Sequence, residues 1–355
     1  MRAGIATLLA LLVLTSCSTG GDRMPSPGAS APATTPASAL LPVTRFWKLG
    51  PVADLAVGPH GVYALYSPAT SEGALPNATD TRLARIDRTT GALATAGPFP
   101  FAWHVVSAGT TVWIGPNNQY SGSSATDSRT VVSVDAQTLM TQQRVVLPAE
   151  AAPGQLIASL AADSSSVWVA YGSHLYRLAA GSGRIIASQP IAGTASSIAL
   201  DPSGQRLYVG VNTDSSTSSA TISEFEPASL KLLVSAPTGG GGLGGPQVAA
   251  ADNGVWVSYA TGMLGQVEHR QSSNLATVPV SRSLFSNGVH VFVATGIVWV
   301  SDAMAGRLVC LDPQMGVVRG DWMTAQGGVV SGDASATFLG DIAGVSAFHP
   351  DARCG

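Results

Sequence analysis

A bulky aromatic residue recurs seven times along this chain, each time inside a short strand-like run flanked by turn residues. The positions are Tyr63, Trp113, Trp168, Tyr208, Trp256, Trp299 and Phe338. Their spacing, roughly 40 to 55 residues, is the period of a propeller blade rather than of a helical repeat. Each unit reads as an apolar strand, a Gly/Asp/Pro/Ser turn, the strand carrying the aromatic, a loop of variable length, a third strand and a fourth. The units run Val52 to Pro100, Phe101 to Pro148, Gln155 to Gly193, Thr194 to Gly240, Gly245 to Ser283, Leu284 to Gln326, and Gly327 to the end. The seventh unit lacks a fourth strand, whereas an unassigned one, Thr44 to Leu49, precedes the first. The expected fold is therefore all-β, a seven-bladed β-propeller closed by an N-terminal strand that completes the last blade and leaves only short protected edges.

Outside the first residues no stretch has helical periodicity. Apolar residues alternate or run in β-branched blocks, as in Thr130-Val131-Val132-Ser133-Val134. The turns between third and fourth strands carry suitable residues, for example Asp87-Arg88-Thr89-Thr90-Gly91 and Asp312-Pro313-Gln314-Met315-Gly316.

The N-terminal segment is of a different kind. Arg2, the apolar run Ile5 to Val13 and the small residues that follow have the form of a secretory signal. Its ending, Leu14-Thr15-Ser16-Cys17, resembles the lipobox of bacterial lipoproteins. That resemblance implies cleavage after Ser16, acylation of Cys17, and a location on the extracytoplasmic side of the cell membrane. Residues 17–42 are then a Ser/Pro/Ala/Thr tether with too little apolar surface to offset its ordering entropy. Residues 43–355 form the propeller domain.

Charged residues make up only 11% of the chain and the net charge is −3, with no basic cluster. This argues against a nucleic-acid partner, which requires a basic footprint. With Cys17 set aside, Cys310 and Cys354 remain, an even number in an oxidising compartment. Pairing is expected; the alternative is two buried free thiols.

The run Ser197-Ile198-Ala199-Leu200-Asp201-Pro202-Ser203-Gly204-Gln205-Arg206-Leu207-Tyr208-Val209-Gly210 resembles the repeat of YVTN-type (YncE-like) seven-bladed propellers. Leu55 to Tyr63 is a looser copy, and the similarity weakens over about 310 residues. The resemblance implies the fold and export, and no single activity.

Aligning the units on their aromatics brings Asp54, His104, Ser159, Ser197, Gln247, His290 and Gly328 into register near the start of each inner strand. The next position is apolar throughout: Leu55, Val105, Leu160, Ile198, Val248, Val291 and Val329. The polar ring is expected to line the channel entrance and to be the ligand-binding site. Asp54, His104 and His290 are the metal candidates, two imidazoles and a carboxylate; the alternative is a channel solvated by ordered water. Trp103 either stacks on a ligand or is buried between blades. Long loops at Ser67 to Thr81, Pro116 to Ser128 and Asn212 to Ser219, with the glycine-rich connection Thr238 to Pro246, open on the same face. Loops elaborated on a rigid scaffold are where binding usually resides. The glycine run opens no helix and contains no Lys-Ser/Thr, so it reads as a rim loop and not as a phosphate cradle. Glu268-His269 is expected on the surface.

These features point to a lipid-anchored binding or scaffold module for a protein, peptide or carbohydrate, with no cofactor. The competing class is a channel-site enzyme, either a metal-assisted lyase or hydrolase or a quinoprotein-like dehydrogenase. The turn Asp87 to Gly91 resembles that of quinoprotein dehydrogenases but no docking tryptophan follows it, and the metal-assisted constellation of streptogramin lyase-like propellers has no assignable match.

Overall fold

The computed structural model of the chain describes residues 39–68, 78–117, 129–149, 158–214, 219–240, 245–278, 285–286, 288–324, 328–333, 335–349 and 354. The signal segment, Cys17 and most of the tether lie outside them.

Seven antiparallel sheets form the ring. From the inside outward, strands a to d, blade one is Val52–Gly58, Gly61–Tyr66, Arg82–Ile86 and Leu93–Ala96. Blade two is Ala102–Ala108, Thr111–Pro116, Thr130–Asp135 and Thr141–Val146. Blade three is Ser159–Ala162, Ser166–Tyr171, His174–Ala179 and Ile185–Pro190. Blade four is Thr194–Leu200, Leu207–Asp214, Ser219–Phe225 and Leu232–Pro237. Blade five is Gln247–Ala251, Gly254–Thr261, Leu264–Arg270 and Thr277–Val278, with Phe285–Ser286 also pairing on its third strand. Blade six is Val289–Ala294, Ile297–Asp302, Arg307–Leu311 and Val318–Met323. Blade seven is Val329–Asp333, Ala336–Gly340 and Gly344–Phe348, completed by Val43–Lys48 from the other end of the chain.

That closing strand pairs antiparallel with Gly344–Phe348, from Val43 opposite Phe348 to Lys48 opposite Gly344. Ala39–Leu40, within the segment read as tether, forms a two-residue parallel strand on the edge of blade six, opposite Trp322 and Met323. Inner strands touch their neighbours all the way round, blade seven against blade one included. The last seam is tied by Trp47, whose Nε1 donates to the Gly91 carbonyl at 3.0 Å, and by Arg88, which bonds Asp333 and Ser335.

The core is a set of seven seams, and each recurrent aromatic fills one. Tyr63 packs with Val105 and Leu139 of blade two, Trp113 with Leu160 of blade three, and Trp168 with Ile198 and Leu230 of blade four. Tyr208 meets Val248 and Leu275 of blade five, Trp256 meets Val291 of blade six, Trp299 meets Phe348 of blade seven, and Phe338 meets Leu55 of blade one. An aromatic of this size removes on the order of 150–250 Å² from water, so its periodic placement is what holds successive sheets together. Two of the aromatics also bond the next blade's turn. The Tyr63 hydroxyl donates to the Ala136 carbonyl at 2.8 Å, and Trp168 Nε1 donates to the Pro227 carbonyl at 2.9 Å.

Those c–d turns share one geometry. The fifth residue donates its N–H to the carbonyl of the first: Gly91 to Asp87, Leu139 to Asp135, Gly183 to Ala179, Leu230 to Glu226, Leu275 to Gln271 and Gly316 to Asp312. All six have positive φ, a conformation that glycine adopts without penalty. In blades two, four and five the residue is instead a buried leucine, with φ of 61°, 60° and 55°. Burial of the leucine in the seam, worth about 1.5–3 kcal/mol, outweighs a left-handed strain of about 1–2 kcal/mol.

Cys310 on strand c of blade six and Cys354 beyond blade seven are joined by a disulfide with Cα atoms 5.9 Å apart. It lies in the same apolar cluster as Trp299, Trp322 and Phe348.

Candidate functional site

Strand pairing fixes which inner-strand residues share a level. Asp54, His104, Ser159, Ser197, Gln247 and His290 stand opposite Leu65, Gly115, Ala170, Gly210, Ser258 and Ser301, each two residues beyond the recurrent aromatic. In blade seven the residue at this level is Val329, opposite Gly340. Gly328 precedes the strand, so the expected register there is corrected by one residue, and the apolar position becomes Val330 instead of Val329. Val330 packs with Trp299 in the seam between blades six and seven.

The six polar residues do different work. Asp54 accepts from Leu55 N at 2.9 Å and, across the seam, from Val105 N at 2.8 Å. Ser197 plays the same part between blades four and five, accepting from Val248 N at 3.1 Å and donating to the Pro246 carbonyl at 2.7 Å. Ser258, on the neighbouring strand, donates to the Val289 carbonyl at 3.2 Å. Ser159 is buried. The Asp54, Ser197 and Ser258 side chains join blades by satisfying inner-strand backbone groups that the sheets leave open.

The remaining three, on the same inner level, keep some exposure to solvent. His104 is half-buried, with Nδ1 3.4 Å from the Asp54 carboxylate. Gln247 is half-buried and His290 is exposed. Desolvation, followed by the His104 imidazole, lowers the His290 pKa below the ordinary histidine value. Phe292 lies beside it, ring centroids 6.4 Å apart. Trp103 is half-buried. Among the described residues no group of three or more His, Cys, Asp or Glu side chains is arranged to hold a metal ion. Asp54, His104 and His290 therefore do not form a three-ligand centre; the Asp54 carboxylate is occupied by two backbone amides.

The face on which inner strands begin also carries every b–c connection. In blade four the second and third strands pair as far as Asp214 and Ser219, so both ends of the expected loop are strand, and residues 215–218 lie outside the described ones. The longer connections of blades one and two lie mostly outside the described residues. Blades five, six and seven turn tightly, and their tips present Met263, Met304 and Ile342, which are 76%, 62% and 50% exposed. Sequence reasoning missed these tips. Their signal is an apolar residue in a short hairpin turn, where polar residues are the rule.

On the opposite face Pro59, His60, Arg85, Asp87, Arg88, Thr89 and Gln137 line a cleft of about 310 Å³. Its charges are engaged within the fold: Arg85 with the Gln137 carbonyl, Arg88 with Asp333, and Asp87 with the amides of Thr89 and Thr90.

His269 is not on the surface. It is 3% exposed and stacks on Trp256 in the seam between blades five and six. Both faces of a blade are covered by neighbours, so strand c has no solvent side along its middle. Glu268, on the other face, pairs with Arg270 at 2.8 Å.

No protein-family profile and no curated protein sequence matches the chain. Solved structures do resemble it. BamB from Moraxella catarrhalis aligns over 83% of this chain and 84% of its own, with TM-score 0.52 and 13% identity. A chain of Kuenenia stuttgartiensis hydrazine synthase aligns over 90% and 99%, with TM-score 0.63 and 10% identity. The computationally designed Ika8 protein aligns over 88% and 100%, with TM-score 0.54 and 13% identity. At these identities the likeness shows a fold common to proteins of different kinds, and the chain is a seven-bladed β-propeller.

Proposed function

We propose that this protein is a lipid-anchored, extracytoplasmic binding or scaffold module that engages a protein, peptide or carbohydrate at the mouth of its central channel. The observation that carries the reading is the division of labour in the inner ring. Asp54 and Ser197 are engaged in joining blades, whereas His104, Gln247 and His290, on the same inner level, keep exposure to solvent. The lipobox-like Leu14-Thr15-Ser16-Cys17 and the YVTN-like repeat support the location. The charge-poor surface suits a neutral or weakly charged partner better than a polyanion. BamB and the hydrazine synthase chain share the fold alone with this chain, and neither supplies a role at 10–13% identity.

Two experiments test this. Metabolic labelling with an alkynyl palmitate is expected to mark the full chain and to be lost in Cys17→Ala; an unlabelled wild-type chain removes the anchor. A photo-crosslinking amino acid at position 290 or 247 is expected to capture a partner in cells, while the same group at Gln314, on the opposite face, captures none. Equal or absent capture at the two faces overturns the channel site.

A further inference from the structure

The b–c turns of blades five to seven present an apolar arc that the channel reading leaves unused. Met263, Met304 and Ile342 stand at its tips, with Leu264 also exposed beside the first. In an all-β core built from Val, Leu, Ala and aromatic side chains, methionine and isoleucine at hairpin tips are out of place.

The turns are built to hold those tips outward. The buried Asp302 carboxylate accepts from Ala305 N at 3.1 Å and from Ser286 N at 2.8 Å. The buried Asp341 carboxylate accepts from Ala343 N at 2.8 Å and Gly344 N at 3.1 Å. Both acidic groups are turned inward, and their amide partners are satisfied without water. The tip residues 262–264, 303–306 and 342–343 contain no charged side chain. A charge-free surface with three projecting apolar side chains, part of its turn backbone already bonded to buried carboxylates, suits the hydrocarbon boundary of a bilayer.

The chain outside the fold says which apolar phase is at hand. This step rests on the anchor reading above. Cys17 and Leu40 are 23 positions apart, a separation for which a Gly/Ser-type linker has an r.m.s. span of roughly 25–30 Å. Such a tether holds the propeller at millimolar effective concentration against the lipid surface, where a contact too weak to bind free protein is populated.

We infer that the arc of Met263, Met304 and Ile342 docks on the membrane lipid, tilting the ring so that blades five to seven face the bilayer. The channel mouth and blades one to four then remain open to a partner.

The test uses the full chain reconstituted in phosphatidylcholine–phosphatidylglycerol vesicles. An environment-sensitive fluorophore is placed by Met304→Cys, Ile342→Cys or, on the opposite face, Met140→Cys, with quenching by brominated lipid as the readout. Quenching at 304 and 342 is expected to exceed that at 140 at least twofold. At 304 it is expected to fall to the level of 140 when Met263→Asp and Ile342→Asp are added. Equal quenching at all three sites in a chain that floats with the vesicles overturns the docking and leaves the anchor intact. A wild-type chain that does not float overturns the anchor, and the docking with it.

Discussion

His269 lies flat on Trp256, ring centroids 4.7 Å apart and planes within 8° of parallel, in the seam between blades five and six. The Trp256 indole N–H has no hydrogen-bond partner, and the His269 imidazole has none of full hydrogen-bond geometry, only a weaker contact with the Asn253 backbone. Burial pushes the His269 pKa below the ordinary value, against a smaller opposing contribution from the Asn253 backbone. Trp256 packs with Val298, Val300, Val309 and Leu311 of blade six, and no charged group among the described residues offsets a charge on His269.

The sign of the pH effect follows. The unfolded chain protonates His269 near pH 6.5 and the folded chain only at lower pH, so stability falls as pH drops below about 6.5. One such group contributes at most about 1.4 kcal/mol per pH unit. His290 acts in the same direction, while Glu224 and Asp341, raised by burial, act oppositely. The difference between wild type and His269→Phe isolates the one group. Urea unfolding from pH 8 to 5 is expected to show a shallower decline in His269→Phe; parallel curves refute it.

Asp54 in blade one and His290 in blade six occupy the same level of the inner ring and should respond oppositely to deletion. Asp54→Ala leaves the Leu55 and Val105 amides without their acceptor, and a loss of roughly 1–3 kcal/mol is expected. His290→Ala removes an exposed side chain and is expected to stay within about 0.5 kcal/mol of wild type. Equal losses in chemical denaturation would make both residues structural and leave the channel without a free histidine.

Leu139 carries a positive φ inside a seam, so its two smallest replacements should not rank by size. Leu139→Ala loses the packing and keeps the strain, whereas Leu139→Gly loses slightly more packing and sheds the strain. Glycine is expected to be more stable than alanine here by about 1 kcal/mol, with both below wild type. Thermal unfolding of the three chains decides the order.

The Cys310–Cys354 link closes a loop of 44 residues, which the chain-entropy account values at roughly 4 kcal/mol. Cys310→Ser with Cys354→Ser is expected to lose about that amount, and amide exchange is expected to quicken first in Gly344–Phe348 and the closing strand. An unchanged denaturation midpoint refutes it.

Much of the ring was legible because one physical requirement, a large side chain in every seam, repeats at a fixed interval. The strand Val43–Lys48 could be assigned to blade seven because a blade was one strand short. Blade seven's register went astray on Gly328, although Val329 stands nine residues before Phe338, the interval that separates Asp54 from Tyr63 and His290 from Trp299. His269 was misread because Glu268-His269-Arg270 is polar in every position. Alternation marks an outside only where a sheet has one, and strand c of a blade packs on both sides. The roles of Asp54 and Ser197 were hidden for another reason: their partners are backbone atoms of the next blade, which leave no mark in the sequence.

That last property bears on how such a chain can change. Ala136, Pro227, Pro246 and Val289 each accept a bond across a seam through the main-chain carbonyl. An acceptor present in every amino acid does not constrain which residue stands there. Each blade can drift in composition independently of its neighbour while the ring keeps its geometry. Propellers that superimpose on this one while sharing about a tenth of its residues are the expected outcome of a contact made to the backbone.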